Sequence, residues 1–276
     1  MELKAELEKL HNEAFEQSDD QKLQLLLDEM VRQIGSIDPY LRDELIYPAF
    51  VKLITNEKLT APQCKHLMEV CADQLFYKIG EDQSDSVFTR SFSALVVAVL
   101  ISYDSTAAIL SEEDFKQAFL KSHTYLRNEK DTRGFVEEKG WAHSIAHGAD
   151  LLGACVSHPM FESEDIGEVL ITLQACLFKK ATFIDDEDER LALVIESLIV
   201  KYMDDKTIRN WLSKVVASLD SVFEREGFSN QYFRTKFNVL NFLKTLYFRL
   251  DVQGGTALSK DYIAENLHRF HQQVYG

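Results

Sequence analysis

Between Arg133 and Asp150 the chain holds two histidines, an aspartate, an arginine, a tryptophan and three glycines in eighteen positions. The run reads Arg133-Gly134-Phe135-Val136-Glu137-Glu138-Lys139-Gly140-Trp141-Ala142-His143-Ser144-Ile145-Ala146-His147-Gly148-Ala149-Asp150. With a helix from Trp141 onward, His143 and His147 stand one turn apart, and Asp150 follows three residues later on the same face. Imidazoles and a carboxylate so placed can move protons, orient one another, or ligate zinc, iron, manganese or nickel. His143, His147 and Asp150 are therefore the candidate catalytic residues and, if a metal is bound, its candidate ligands. The spacing is not that of a metalloprotease, because Ser144 stands where the second position of H-E-x-x-H needs glutamate. No third histidine follows at metzincin spacing, and there is no adjacent His-Asp pair of the nucleotide phosphohydrolase kind. The competing structural reading packs both imidazoles against Trp141 and leaves Asp150 to hold one of them.

The flanks of this run suggest a different use. Gly134 and Gly140 permit close backbone approach, and a helix starting near Gly140 or Trp141 would point free N–H groups outward. Arg133 and Lys139 beside such a helix start favour phosphate or carboxylate, with Trp141 as a stacking wall. The plainer alternative pairs Arg133 with Glu137 or Glu138 and makes Trp141 core.

These side chains need elements to hold them, and the apolar spacing gives helix after helix. Leu3, Leu7 and Leu10 begin one, and Leu23, Leu26, Leu27 and Met30 another. Asp38-Pro39 reads as an N-cap with proline at the first helical position, and Pro48 should break or kink that helix near Tyr47. Thr60-Ala61-Pro62 opens the next. Phe88 to Ser102 is apolar nearly all round and so belongs between neighbouring helices. Phe115, Phe119 and Leu126 mark the helix before the glycine-rich run. Beyond it come 166–177, 189–202, 208–223, 233–250 and 262–274, the last after a Ser259 cap. Strand-like alternation is missing over any convincing length. The fold class expected is all-α.

Polar residues interrupt these helices at Arg42, Arg90, His143, Arg190 and Asn238, at steps of 48, 53, 47 and 48 residues. A repeated helical hairpin of that period predicts a right-handed, HEAT-like α-solenoid over one domain, residues 1–276, with 1–20 as a peripheral N-terminal helix. An irregular helical bundle is the alternative. In a solenoid, Arg90, Glu189, Arg190 and Asn241 would share one groove with His143. A buried Arg90 needs a carboxylate or a ligand, and Asp150 and Glu189 are available. Asn238, Asn241 and Thr245 make a polar stripe, and the acidic run Asp185–Glu189 suits a helix start.

Composition narrows the function. Thirty Lys+Arg against 45 Asp+Glu leave a net charge of −15, with no basic run, so nucleic acid is not an expected partner. The charged N-terminus has no apolar signal region, and the apolar run from Ala94 to Ile101 is too short to span a bilayer. A cytoplasmic location with no membrane role is expected. Cys64, Cys71, Cys155 and Cys176 form no CxxC pair and read as reduced core residues. No P-loop, G-x-S-x-G or dinucleotide fingerprint is present, so no cofactor follows.

Four segments carry a family resemblance: Phe88-Thr89-Arg90-Ser91-Phe92-Ser93, the run from Arg133 to Asp150, Asp186-Glu187-Asp188-Glu189-Arg190-Leu191-Ala192, and Asn241 to Leu250. In these the chain resembles, from about residue 20 onward, a family of bacterial cytosolic helical proteins catalogued as a domain of unknown function. The resemblance implies an all-helical, repeat-like fold and one shared site, and no activity. The reading is a polar groove centred on His143, His147 and Asp150, binding a small polar or anionic ligand. Arg90, Arg133, Trp141, Glu189, Arg190 and Asn241 are its candidate ligand-binding residues. A hydrolase or transferase using the same histidines is the first alternative, and a scaffold for a protein partner the second.

Overall fold

The helical spacing is met in the computed structural model, which describes residues 2–12 and 20–276. Its contacts divide into two compact units, Met1–Phe161 and Glu162–Gly276. In the first lie α1 (Glu2–Asn12), α2 (Asp20–Gln33), α3 (Tyr47–Thr55), α4 (Ala61–Gln74), α5 (Ser86–Ala107), α6 (Glu112–Asn128) and α7 (Ser144–Ser157). Leu3, Leu7 and Leu10 bury one face of α1; residues 13–19 of that stretch lie outside the described residues.

The caps explain where several helices begin. Thr60 accepts from the Gln63 backbone while the Gln63 side chain accepts from the Thr60 N–H, a reciprocal box at the start of α4. Ser111 and Asp114 do the same for α6. Asp38 Oδ1 accepts from the N–H groups of Tyr40 (3.0 Å) and Leu41 (3.4 Å). Pro48 leaves an unexpected mark: the turns before it, Tyr40–Ile46, are π-helical and run directly into α3. A wider turn accommodates a ring that has no N–H to give, and such turns collect at functional sites.

α5 is the axis of the first unit, with α3, α4 and α7 packed on it. By length and composition alone it could cross a membrane, but 78% of its apolar window is buried inside the protein, as in a core helix. α7 and α6 approach closely at Gly148, where an added Cβ would lie 2.5 Å from Leu126 Cδ2. All four cysteines are buried and free, and burial pushes the Cys71 and Cys155 thiols up, the latter to about 12.

The second unit holds α8 (Ile166–Leu177), α9 (Glu187–Lys201), α10 (Asp205–Glu226), α11 (Asn230–Gln253) and α12 (Ala257–Tyr275). α11 packs on α9, and α12 packs on α10 and α11. The expected Ser259 cap is corrected, since α12 begins at Ala257. Its first N–H groups are met from α10, where the Asp205 carboxylate accepts from Leu258 (2.8 Å) and Ser259 (2.9 Å). Ser259 is fully buried and gives its hydroxyl to the same aspartate.

Candidate functional site

The glycine-rich run does not enter its helix where the spacing predicted. Phe135–Val136 (β1) and Gly140–Trp141 (β2) pair as a small antiparallel hairpin, and α7 starts only at Ser144. The reason is long-range. The fully buried Arg42, on the π-helical turn, donates from Nη2 to the Lys139 carbonyl (2.7 Å) and from Nη1 to the Ser36 carbonyl (2.6 Å). Its Nε lies 2.7 Å from Asp43 Oδ1, and its guanidinium carbon stands 4.2 Å and 4.7 Å from the centres of the Phe88 and Phe92 rings. Gly140 lets the hairpin reach this cation: its φ is +77°, and a Cβ would lie 2.8 Å from Pro39 Cβ and 3.0 Å from Arg42 Nη2. Burial raises the Asp43 carboxyl and lowers Arg42, with their mutual attraction opposing both shifts.

His143 therefore caps α7 instead of riding on it, with a left-handed backbone at φ 46°, ψ 38°. A non-glycine residue there stores strain, an outlier often found at working sites. The rings nevertheless meet. Trp141, half exposed, stacks on His143 at 4.2 Å; His143 meets His147 edge to face at 5.6 Å; His147 meets Phe92 at 5.3 Å, and Phe92 meets Tyr47 at 6.2 Å. Phe135 closes the outer end against Trp141 at 5.0 Å. A ladder of rings thus leads from an accessible indole to the buried face of α5. Tyr47 belongs also to a cleft of about 490 Å³ between α3, α5 and α7, walled by Val51, Leu95, Ala98, Val99 and Tyr103. Asp150 opens onto this cleft.

The arginines go elsewhere. Arg90 is fully buried and grips Glu129 through Nε (2.6 Å) and Nη2 (2.8 Å), while Nη1 donates to the Tyr77 carbonyl (3.0 Å) and Ser86 Oγ (2.8 Å). The partner is Glu129, not the Asp150 or Glu189 weighed from sequence. Arg133 pairs with Asp131, two residues before it, and not with Glu137 or Glu138. That hydrogen bond to Asp131 raises the pKa of Arg133, whose Nη2 also donates to the Ser84 carbonyl (2.9 Å). Glu189 and Arg190 lie on the first turn of α9, where Glu189 receives Arg249 (2.6 Å) and Thr245 (3.2 Å) from α11. Asn238 is fully buried, accepting from the Phe183 N–H and donating to the Ala181 carbonyl. Asn241 lines a separate cavity between α11 and α12.

Among the described residues no group of three His, Cys, Asp or Glu side chains is arranged to hold a metal ion. An imidazole–carboxylate pair does exist away from the run. His158 Nε2 lies 3.1 Å from Asp104 Oδ2, both buried, with Phe115 stacked on the ring. Asp104 Oδ1 meanwhile accepts from Ile109 and Leu110 to close the turn after α5, so this pair is a structural staple. The residues that sequence reasoning passed over are Glu129, Asp131, Asp43 and Lys236. Asp43 beside Arg42, Asp131 two residues before Arg133 and Lys236 four residues after Tyr232 each carried a local signal; Glu129, 39 residues from Arg90, carried none.

The sequence model of a family described as a protein of unknown function, DUF2785, matches residues 75–248, from the end of α4 to the last turns of α11. No curated protein and no solved structure matches the chain.

Proposed function

We propose, for a chain that belongs to the DUF2785 family, that it binds a small ligand with an apolar body and a hydrogen-bond donor, in the cleft of α3, α5 and α7. The observation that carries this is the position of Asp150: one carboxylate in a wall of aliphatic, aromatic and hydroxyl groups, large enough for a small molecule. His147 lies one turn earlier on α7 and its ring leans on Phe92, which leans on Tyr47 of the cleft. Arg90 and Arg133 already hold carboxylates, which turns the reading from an anion towards a donor such as an amine or alcohol.

The test is a thermal-shift and NMR titration of the full chain with phenethylamine, phenethyl alcohol and phenylpropionate. The amine and alcohol should bind better than the acid, and Asp150→Asn should lower the amine's affinity at least tenfold with the fold kept. Equal affinity for all three, or no change in Asp150→Asn, would refute it. A second reading, a hydrolase or transferase using His143 or His147 as general base, is supported by the left-handed backbone of His143. Turnover in an ester and phosphoester panel, lost in His147→Ala, would support it; a panel without turnover would set it aside.

A further inference from the structure

α11 and α12 enclose a second cavity of about 430 Å³ in the other unit. Phe233, Phe237, Leu240, Leu267 and Phe270 form its apolar wall, and Phe233 and Phe237 are more than two-fifths exposed. Its charged lining is basic, from Lys236 and Lys244 with His271 beside them; Tyr275 is the other titratable member, and none of the lining residues is a carboxylate. In a chain of net charge −15 that is a local reversal of sign.

Lys236 is the decisive member. It is only 8% exposed, yet among the described residues it has no carboxylate partner: its Nζ donates to the Phe270 carbonyl (3.2 Å) and lies 5.8–5.9 Å from the Phe270 and Tyr232 ring centres. Burial alone lowers its pKa, with no opposing charge to hold it up. A buried ammonium with a neutral partner is costly, and folded chains tolerate one where a bound anion completes it. Lysine presents its charge as a compact point with three rotatable donors, which suits a single carboxylate.

We propose that this cavity binds an amphipathic monocarboxylate, an alkyl or aryl chain lying along the phenylalanines with its carboxylate on Lys236 and within reach of Asn241 and Lys244. The occupant is a small molecule because the cavity, at about 430 Å³, lies within the roughly 300–1,000 Å³ of small-ligand pockets. The inference is independent of the α3–α5–α7 cleft.

Calorimetric titration of the full chain with octanoate, octanol and octyltrimethylammonium tests it. Octanoate should occupy one site at least tenfold more tightly than octanol, with the ammonium weaker still. Lys236→Met should bring octanoate down to the affinity of octanol and leave octanol unchanged, whereas Phe237→Ser should weaken both together. The preference for octanoate should also fade as the pH rises towards the ordinary lysine range, since the ammonium is what recognises it. That wild-type pH dependence decides the matter should Lys236→Met fail to fold. Octanoate binding no better than octanol, or a preference that survives Lys236→Met, would overturn the proposal. So would a dimer broken by Phe237→Ser and indifferent to octanoate, which would give the face to a second copy of the chain.

Discussion

Arg90 and Lys236 are both cations buried on apolar helices, and their surroundings differ in every other respect. Arg90 is closed in by a carboxylate, two carbonyls and a hydroxyl, so the guanidinium donates in several directions within the protein. Lys236 has one carbonyl and a cavity. The contrast teaches that burial and charge do not separate a staple from a binding group; the completeness of the partner set does. Arg42 lies between the two, with one carboxylate, carbonyl acceptors and two phenylalanine faces.

The largest effect should come from breaking the complete set. Glu129→Gln leaves Arg90 buried without its counter-ion and should cost about 3–5 kcal/mol in urea unfolding. The joint change Arg90→Met with Glu129→Leu should recover most of that loss. A cost below about 1 kcal/mol for the single change would show that Arg90 is not a staple.

Gly140→Ala should follow at about 1–3 kcal/mol, because alanine strains the positive φ and its methyl meets Pro39 and Arg42. Amide exchange should quicken first in the hairpin around Arg42. A neutral result would show that the hairpin reaches Arg42 without help from glycine.

The smallest change is expected where the set is incomplete. Lys236→Met should leave stability unchanged or raise it by about 1 kcal/mol at neutral pH, the reverse of the Glu129 result. Its sign with pH follows from the lowered pKa. The cost of the buried ammonium is full below the folded value and disappears as the pH climbs to the unfolded lysine value of 10.5. The variant's advantage should therefore shrink across that window. Unfolding curves from neutral pH to 10.5 measure it, and a constant difference would show that Lys236 is not destabilised by burial.

Much of the helical frame was legible because its signals are local. Asp38-Pro39 and Thr60-Ala61-Pro62 state their own starts, and the side chains that cap them sit within a turn of what they cap. The run from Arg133 to Asp150 was legible in content but not in shape. Trp141 to His143 could have opened a helix on their own preference; they form a hairpin edge and a cap because Arg42, about a hundred residues earlier, claims the carbonyl of Lys139.

By itself, then, the sequence determined the all-α class, the caps that lie within one helical turn and the burial of the cysteines. Only the tertiary structure decided that Arg90 belongs to Glu129, that Asp205 caps α12, that Asp150 opens on a cleft, and that Lys236 faces a cavity. Caps and periodic faces are short-range facts, fixed by residues within a few positions of one another. The partner of a buried charge is chosen by which distant helix brings a carboxylate to it, and one-dimensional spacing carries no record of that choice.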